Sequence, residues 1–181
     1  MRTAALTAAL LAAPSLAAAD PACDPRPNAV VADLGLHVVA AGFDRALSCH
    51  VSVQASAGLY VPWVVNRDLF GQGGGVERDL GGAMVRVRTF FLPAGEGRRG
   101  FWVSPFLQGG VVLAPRGDGR ATGAAFSVGV GAGYTWALGA RWLLSLGAGA
   151  QVHGALFDGS TAAPGFVGAG PHVDINVDYL L

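Results

Sequence analysis

The chain has 181 residues, 52% of them hydrophobic and 13% charged, with 28 glycines, against about 25% charged and about 7% glycine in ordinary soluble domains. Intrinsic disorder, which needs low hydrophobicity and high charge, is excluded, and the 12 basic and 12 acidic side chains cancel. Every basic residue is an arginine, set singly or in pairs, so no basic stripe could displace phosphate counterions, which argues against nucleic acid as a partner.

Part of the apolar excess sits at the N-terminus. Met1-Arg2-Thr3, the run Ala4 to Ala13 and then Ala17-Ala18-Ala19 read as a charged leader, an apolar stretch and an A-x-A cleavage site. The expected organisation is a cleaved signal peptide over 1–19, a short periplasmic tail over 20–28 and a β-barrel over 29–181. An uncleaved membrane helix is the rival, but the apolar stretch before Pro14 is about ten residues where a span needs about 20. Lipidation at Cys23 is disfavoured, because Asp20-Pro21-Ala22 is too polar and too kinked for a lipobox.

From Asn28 onward the chain alternates with period two, a strand signal. Between Asn28 and Leu47 the alternation slips: Leu34, Leu36 and Val38 oppose Asp33 and His37, but Asp44 falls out of phase after Gly42. Either a bulge resets one strand or two short strands meet there. Val51, Val53, Ala55, Ala57, Leu59 and Val61 then oppose Ser52, Gln54, Ser56, Gly58 and Tyr60. Ala83, Val85, Val87, Thr89 and Phe91 oppose Met84, Arg86 and Arg88. Phe101, Val103, Leu107 and Val111 oppose Trp102, Ser104 and Gln108, with Pro105 set to interrupt the ladder as a bulge or a lipid-side irregularity.

The C-terminal half is clearer. Ala124 to Trp136 places Phe126, Val128, Val130, Tyr134 and Trp136 against Ser127, Gly129, Gly131, Gly133 and Thr135. Trp142, Leu144, Leu146, Ala148, Ala150 and Val152 oppose Arg141, Leu143, Ser145, Gly147, Gly149, Gln151 and His153. Val173, Ile175, Val177, Tyr179 and Leu181 alternate with His172, Asp174, Asn176 and Asp178. A helical membrane hairpin over Ala121 to Ala140 would scatter Gly129, Gly131 and Gly133 around the helix at about 1 kcal/mol each, whereas a strand gathers them on one face.

Seven long segments are visible and single-chain bacterial barrels have even strand numbers, so the expected fold is an all-β, antiparallel up-and-down transmembrane barrel of eight strands. Ala46 to His50, Pro93 to Gly100 and Ala137 to Ala140 read as short links. Pro62 to Asp79, Ala114 to Gly123 and Phe157 to Gly165 read as longer loops, in alternation. Outer-membrane barrels show this asymmetry, with short periplasmic turns. Phe91, Phe101, Trp102, Trp136, Trp142 and Tyr179 lie near the short turns and Tyr60, Trp63, Phe157 and Phe166 near the long loops, as two aromatic girdles would.

Gly-Phe-Asp-Arg-Ala-Leu-Ser at 42–48 and the terminal strand Pro171-His-Val-Asp-Ile-Asn-Val-Asp-Tyr-Leu-Leu resemble the OmpA-like or opacity-protein-like group of small outer-membrane β-barrels, over roughly Val30 to Leu181. The resemblance implies insertion by the barrel assembly machinery into the outer membrane of a Gram-negative-type envelope. One departure is the terminal Leu181, where such proteins usually end in an aromatic residue. No catalytic residue is carried over.

Both cysteines, Cys23 and Cys49, fall on the periplasmic side of this topology, where oxidation is permitted, and form the candidate disulfide. Cys49 and His50 alone make a poor zinc site, and no metal or other cofactor is expected. His50-Val51-Ser52 resembles the His-x-Ser element of outer-membrane lipid A deacylases, but the flanking residues of that family are missing and the position is beside a periplasmic turn, so no enzymatic role is assigned. Because eight strands leave room only for side chains, Arg86, Arg88 and Arg141 would need Asp33, Asp174 and Asp178 as inward partners. The function expected is structural, anchoring or surface-interacting, with outer-membrane lipid as partner and a surface ligand reached through the long loops. A small-solute channel and a soluble lipocalin-like cup, which would turn the apolar face inward, are the alternatives.

Overall fold

A computed structural model describes residues 25–36, 38–60, 81–95, 97–116, 119–157 and 166–181. They form eight strands: β1 (Asn28–Gly35), β2 (Val38–Ala46), β3 (Val51–Tyr60), β4 (Gly81–Phe91), β5 (Gly100–Arg116), β6 (Gly119–Ala137), β7 (Trp142–Phe157) and β8 (Phe166–Leu180). Each pairs antiparallel with its neighbour in sequence, and β1 pairs with β8 to close the barrel. Stepping straight across the pairs from Val31 leads through Gly42, Ser56, Arg86, Gln108, Ser127 and His153 to Gly168, whereas Val31 itself faces Asp178, ten residues further along β8. A stagger of this size over eight strands tilts them by about 40° to the barrel axis and leaves an interior that side chains can fill.

Period-two patterning decides which face each residue takes. In β3 the buried residues are Ser52, Gln54, Ser56 and Tyr60; in β4 they are Met84, Arg86, Arg88 and Phe90. The valines and leucine between them lie on the outward face, as most apolar residues of the other strands do, while Val31, Val38, Val112, Leu143 and Leu180 are buried inside. The apolar face is therefore the outer wall, opposite to the arrangement of a soluble cup.

The slip between Asn28 and Leu47 is resolved as two strands, not one bulged strand. Asp33 of β1 and Asp44 of β2 are both buried, and the chain reverses between them after Gly35. Pro105 causes no bulge either. The β4–β5 register is the same on both sides of it, Arg88 facing Phe106 and Phe91 facing Val103, and only the pairs between lapse, as expected where proline supplies no N–H. Its β6 side stays paired, with Pro105 facing Val130.

Two expected features are corrected. Ala114 to Gly123 is not a long loop: Ala114 pairs with Ala121 and Arg116 with Gly119, so β5 and β6 run on almost to their tip. The girdle assignments also fail in part. Trp102 has 0% of its surface exposed and lies inside the barrel, as does Tyr60 at the other end, because both fall on the inward phase of their strands. Trp63 lies outside the described residues. Phe91, Phe101, Tyr134, Trp136 and Trp142 do face outward near the β2–β3, β4–β5 and β6–β7 turns, the end termed lower below.

Inside, the barrel is layered. At the upper end Val38, Tyr60, Met84, Val112, Ala125 and Ala155 form an apolar cluster with Phe157 packed against it. A polar layer follows, and below it Phe90, Leu92 and Trp102 form a second apolar cluster. Phe90 and Trp102 meet edge to face with ring centroids 5.2 Å apart, an arrangement their quadrupoles favour.

The inward glycines of β6 and β7 make space for these rings. A Cβ on Gly147 would collide with the Trp102 indole, and one on Gly129 would lie 2.5 Å from the Ala150 carbonyl oxygen and 2.7 Å from Phe106 Cζ. On Gly149 the obstacle is different, the Val130 carbonyl oxygen of the facing strand. A side chain can turn aside and a paired backbone cannot. Gly149→Ala is therefore expected to lower the urea midpoint of the folded barrel more than Gly147→Ala does, and Trp102→Leu to relieve the Gly147 variant only. Equal loss in both variants, with relief in neither, would contradict this packing.

Candidate functional site

The polar layer brings four of the expected residues together from three parts of the barrel wall. Arg86 Nη1 lies 2.9 Å from Asp33 Oδ1 and 3.2 Å from Asp174 Oδ1, and Arg88 Nη2 lies 2.6 Å from Asp174 Oδ2. Alternation places both arginines inward two residues apart on β4, and barrel closure brings Asp33 of β1 and Asp174 of β8 against them.

Neutral groups complete the coordination. Arg86 Nε donates to Gln108 at 2.9 Å and Arg88 Nε to the Ser104 hydroxyl at 3.2 Å. Asp33 also accepts from Ser56 at 2.9 Å and from Gln54 at 3.4 Å. His172 Nε2 is 2.6 Å from Asp174 Oδ2, and the His172 ring stacks on Phe106 at 4.2 Å. The guanidinium of Arg86 lies over Phe106 at 5.4 Å and that of Arg88 over Phe90 at 4.6 Å. Charge-assisted hydrogen bonds and ring faces thus replace the water these groups give up.

A second ion pair closes the lower end. Arg98, in the turn between β4 and β5, reaches into the barrel, where its Nε lies 2.6 Å from Asp44 Oδ1 and its Nη2 donates to the Asp44 and Pro27 carbonyls. Positive φ at Gly95, Gly97 and Gly100 gives that turn a path open chiefly to glycine. Ser52 donates to Asp44 at 3.1 Å. Asp178 faces inward here and, with Asp44, Arg98, Trp102, Thr135 and Ser145, borders a cavity of about 10 Å³, the size of one water molecule.

Arg141 corrects the expected lumen set. It is exposed in the turn between β6 and β7, and its Nη1 donates to the Tyr179 hydroxyl at 2.9 Å. The strand alternation that pointed it inward ends at Trp142, one residue later. Arg98 was missed because it lies in a link, where no periodicity reports its direction. Gln54, Ser56 and Gln108 were legible as inward positions, though their role as ligands of Asp33 and Arg86 was not.

His50 and Ser52 do not converge. His50 is exposed before β3 begins, its ring beside Gly95, while Ser52 is buried against Asp44. Cys49 lies in the same turn, its carbonyl accepting from Gly97 N at 3.2 Å, and Cys23 lies outside the described residues. No helix among the described residues is long and apolar enough to cross a membrane, which says nothing of strands.

Residues 26–153 match the family model described as "Protein of unknown function (DUF3575)". The chain belongs to the DUF3575 family. The match takes in β1 to most of β7, and with it Asp33, Asp44, Arg86, Arg88 and Arg98, while Asp174 and Asp178 follow it. No curated protein and no solved structure matches the chain.

For this DUF3575 member, removing one partner of the buried network leaves an uncompensated charge, a loss of about 3–5 kcal/mol. Arg86→Met is expected to destabilise the barrel by that much in urea unfolding in detergent, and Arg141→Met, at an exposed site, by no more than about 0.5 kcal/mol. Similar losses from the two variants would contradict the assignment of their surroundings.

Proposed function

We propose that this DUF3575 protein is an integral outer-membrane barrel of the OmpA-like or opacity-protein-like kind, with a structural, anchoring or surface-interaction role and a lumen closed by its own side chains. The observation that carries the reading is the inverted polarity of the wall. Val30, Val39, Leu59, Val85, Leu107, Val128, Val152 and Ile175, one from each strand, face outward. Among the described residues the outward charges on the strands are Arg45, at the lower end of β2, and Arg120, at the upper end of β6. An apolar belt between charged margins, around a polar core, suits a hydrocarbon layer and would aggregate in water.

The same reading gives residues 1–19 the role of an export signal, with a mature chain starting at Asp20. It also favours a Cys23–Cys49 disulfide. Pro27 accepts from Ala46 N at 2.8 Å beside the turn that holds Cys49, and the four residues from Pro27 back to Cys23 can span about 14 Å. The two apolar clusters above and below the ion pairs speak for a closed barrel over a channel. The role then rests with the upper loops and the wall itself, with the barrel assembly machinery and outer-membrane lipid as partners.

Membrane fractionation with heat-modifiable gel migration tests the reading. The protein is expected in the outer-membrane fraction, with a folded band that shifts only on boiling. Folded protein recovered from the soluble periplasmic extract would overturn it.

A further inference from the structure

We propose that the lower rim of the wall carries a site for the phosphate of an anionic phospholipid, formed by Arg141, Tyr179 and Trp142. The inference rests on the reading of the protein as a membrane barrel and names a lipid class that the barrel selects.

Arg141 directly precedes the outward-facing Trp142, so strand alternation would turn it into the lumen. Instead it is exposed, and its guanidinium lies 5.9 Å from the centre of the Tyr179 ring while Nη1 donates to the Tyr179 hydroxyl. Trp142 and Tyr179 face each other across β7 and β8 with ring centroids 5.0 Å apart. The turn that carries Arg141 is fixed on both sides: Leu138 N donates to Trp142 O and Leu180 N to Arg141 O, both at 2.8 Å, and Arg26 donates to Ala140 O. The cation is thus held on the outer surface at the level of the aromatic rings.

Its partners decide what it can bind. Among the described residues its hydrogen bond goes to a neutral phenol, and no carboxylate pairs with it. Four of the five guanidinium N–H donors remain for a ligand, in the planar fork that fits phosphate oxygens. The Tyr179 oxygen accepts from Arg141, which leaves its own O–H to donate to the same group. Directly above lie the outward apolar residues of β6, β7 and β8, against which acyl chains would rest.

The surroundings favour a net negative headgroup. The exposed or half-exposed charged side chains described at this end are Arg26, Arg45, Arg99 and Arg141, whereas Asp44 and Asp178 are turned into the barrel. A phosphatidylcholine ammonium would meet a surface whose described charged side chains are arginines, and phosphatidylglycerol has no such group. A basic side chain at a membrane surface favours an anionic lipid by about fivefold.

The test inserts the full mature chain into phosphatidylcholine vesicles containing a minor fraction of either phosphatidylglycerol or phosphatidylcholine with brominated acyl chains, and reads quenching of tryptophan fluorescence. Brominated phosphatidylglycerol is expected to quench as if enriched about fivefold at the wall. Arg141→Gln is expected to bring the ratio to about unity, Tyr179→Phe to an intermediate value. Arg99→Gln, in the neighbouring turn, should leave it unchanged. No preference in the parent protein, or a preference that survives Arg141→Gln in a barrel still folded by gel migration, would overturn the site while leaving the membrane reading intact. Failure to insert into either vesicle would overturn both.

Discussion

The carboxylate of Asp174 is the point on which the interior turns. It meets Arg86, Arg88 and His172 at 3.2, 2.6 and 2.6 Å, and Arg86 passes the connection on to Asp33. These groups come from β1, β4 and β8, strands that share a site only because β1 closes on β8. Buried ion pairs do not guarantee stability, since desolvation opposes the attraction between the charges. Here each arginine also donates to a neutral side chain and lies over an aromatic ring, so both guanidinium groups are held from within the barrel wall.

Closing eight strands around such a core imposes the rest of the packing. Two arginines, Trp102, Phe106 and His172 occupy an interior of side-chain width, and β6 and β7 face them with glycine. The glycine content that separates this chain from an average domain therefore has a specific use, a smooth trough against which the rings lie. Apolar clusters above and below the ion pairs exclude water from the middle, which strengthens the charge interactions there. At the lower end Arg98 reaches in from a turn and brings the β4–β5 link, Asp44 and the residues before β1 into one contact.

The sequence made the strands legible wherever one face is apolar and the other is not, which covers β3 to β8 and the inward positions of Arg86, Arg88, Asp33, Asp174 and Asp178. It was least legible where alternation stops. The reversal after Gly35 looked like a phase slip because so short a turn leaves little composition to mark it. Arg98 and Arg141 were misjudged or missed for one reason: both lie in turns, where direction is set by hydrogen bonds and glycine φ angles instead of by period. Trp102 and Tyr60 show a related ambiguity, since an aromatic residue near a strand end suits either a membrane girdle or an interior plug, and only the phase of the strand separates the two.

The interior ion pairs act as one coupled unit across the closure of the barrel. A double-mutant cycle on Arg86 and Asp33, using Arg86→Met, Asp33→Leu and the double variant in urea unfolding, measures that coupling across the barrel. A coupling energy above about 1 kcal/mol, with the double variant more stable than the sum of the single losses implies, is the predicted result. Losses that add to within about 0.5 kcal/mol would mean that the two residues act independently and would contradict the account.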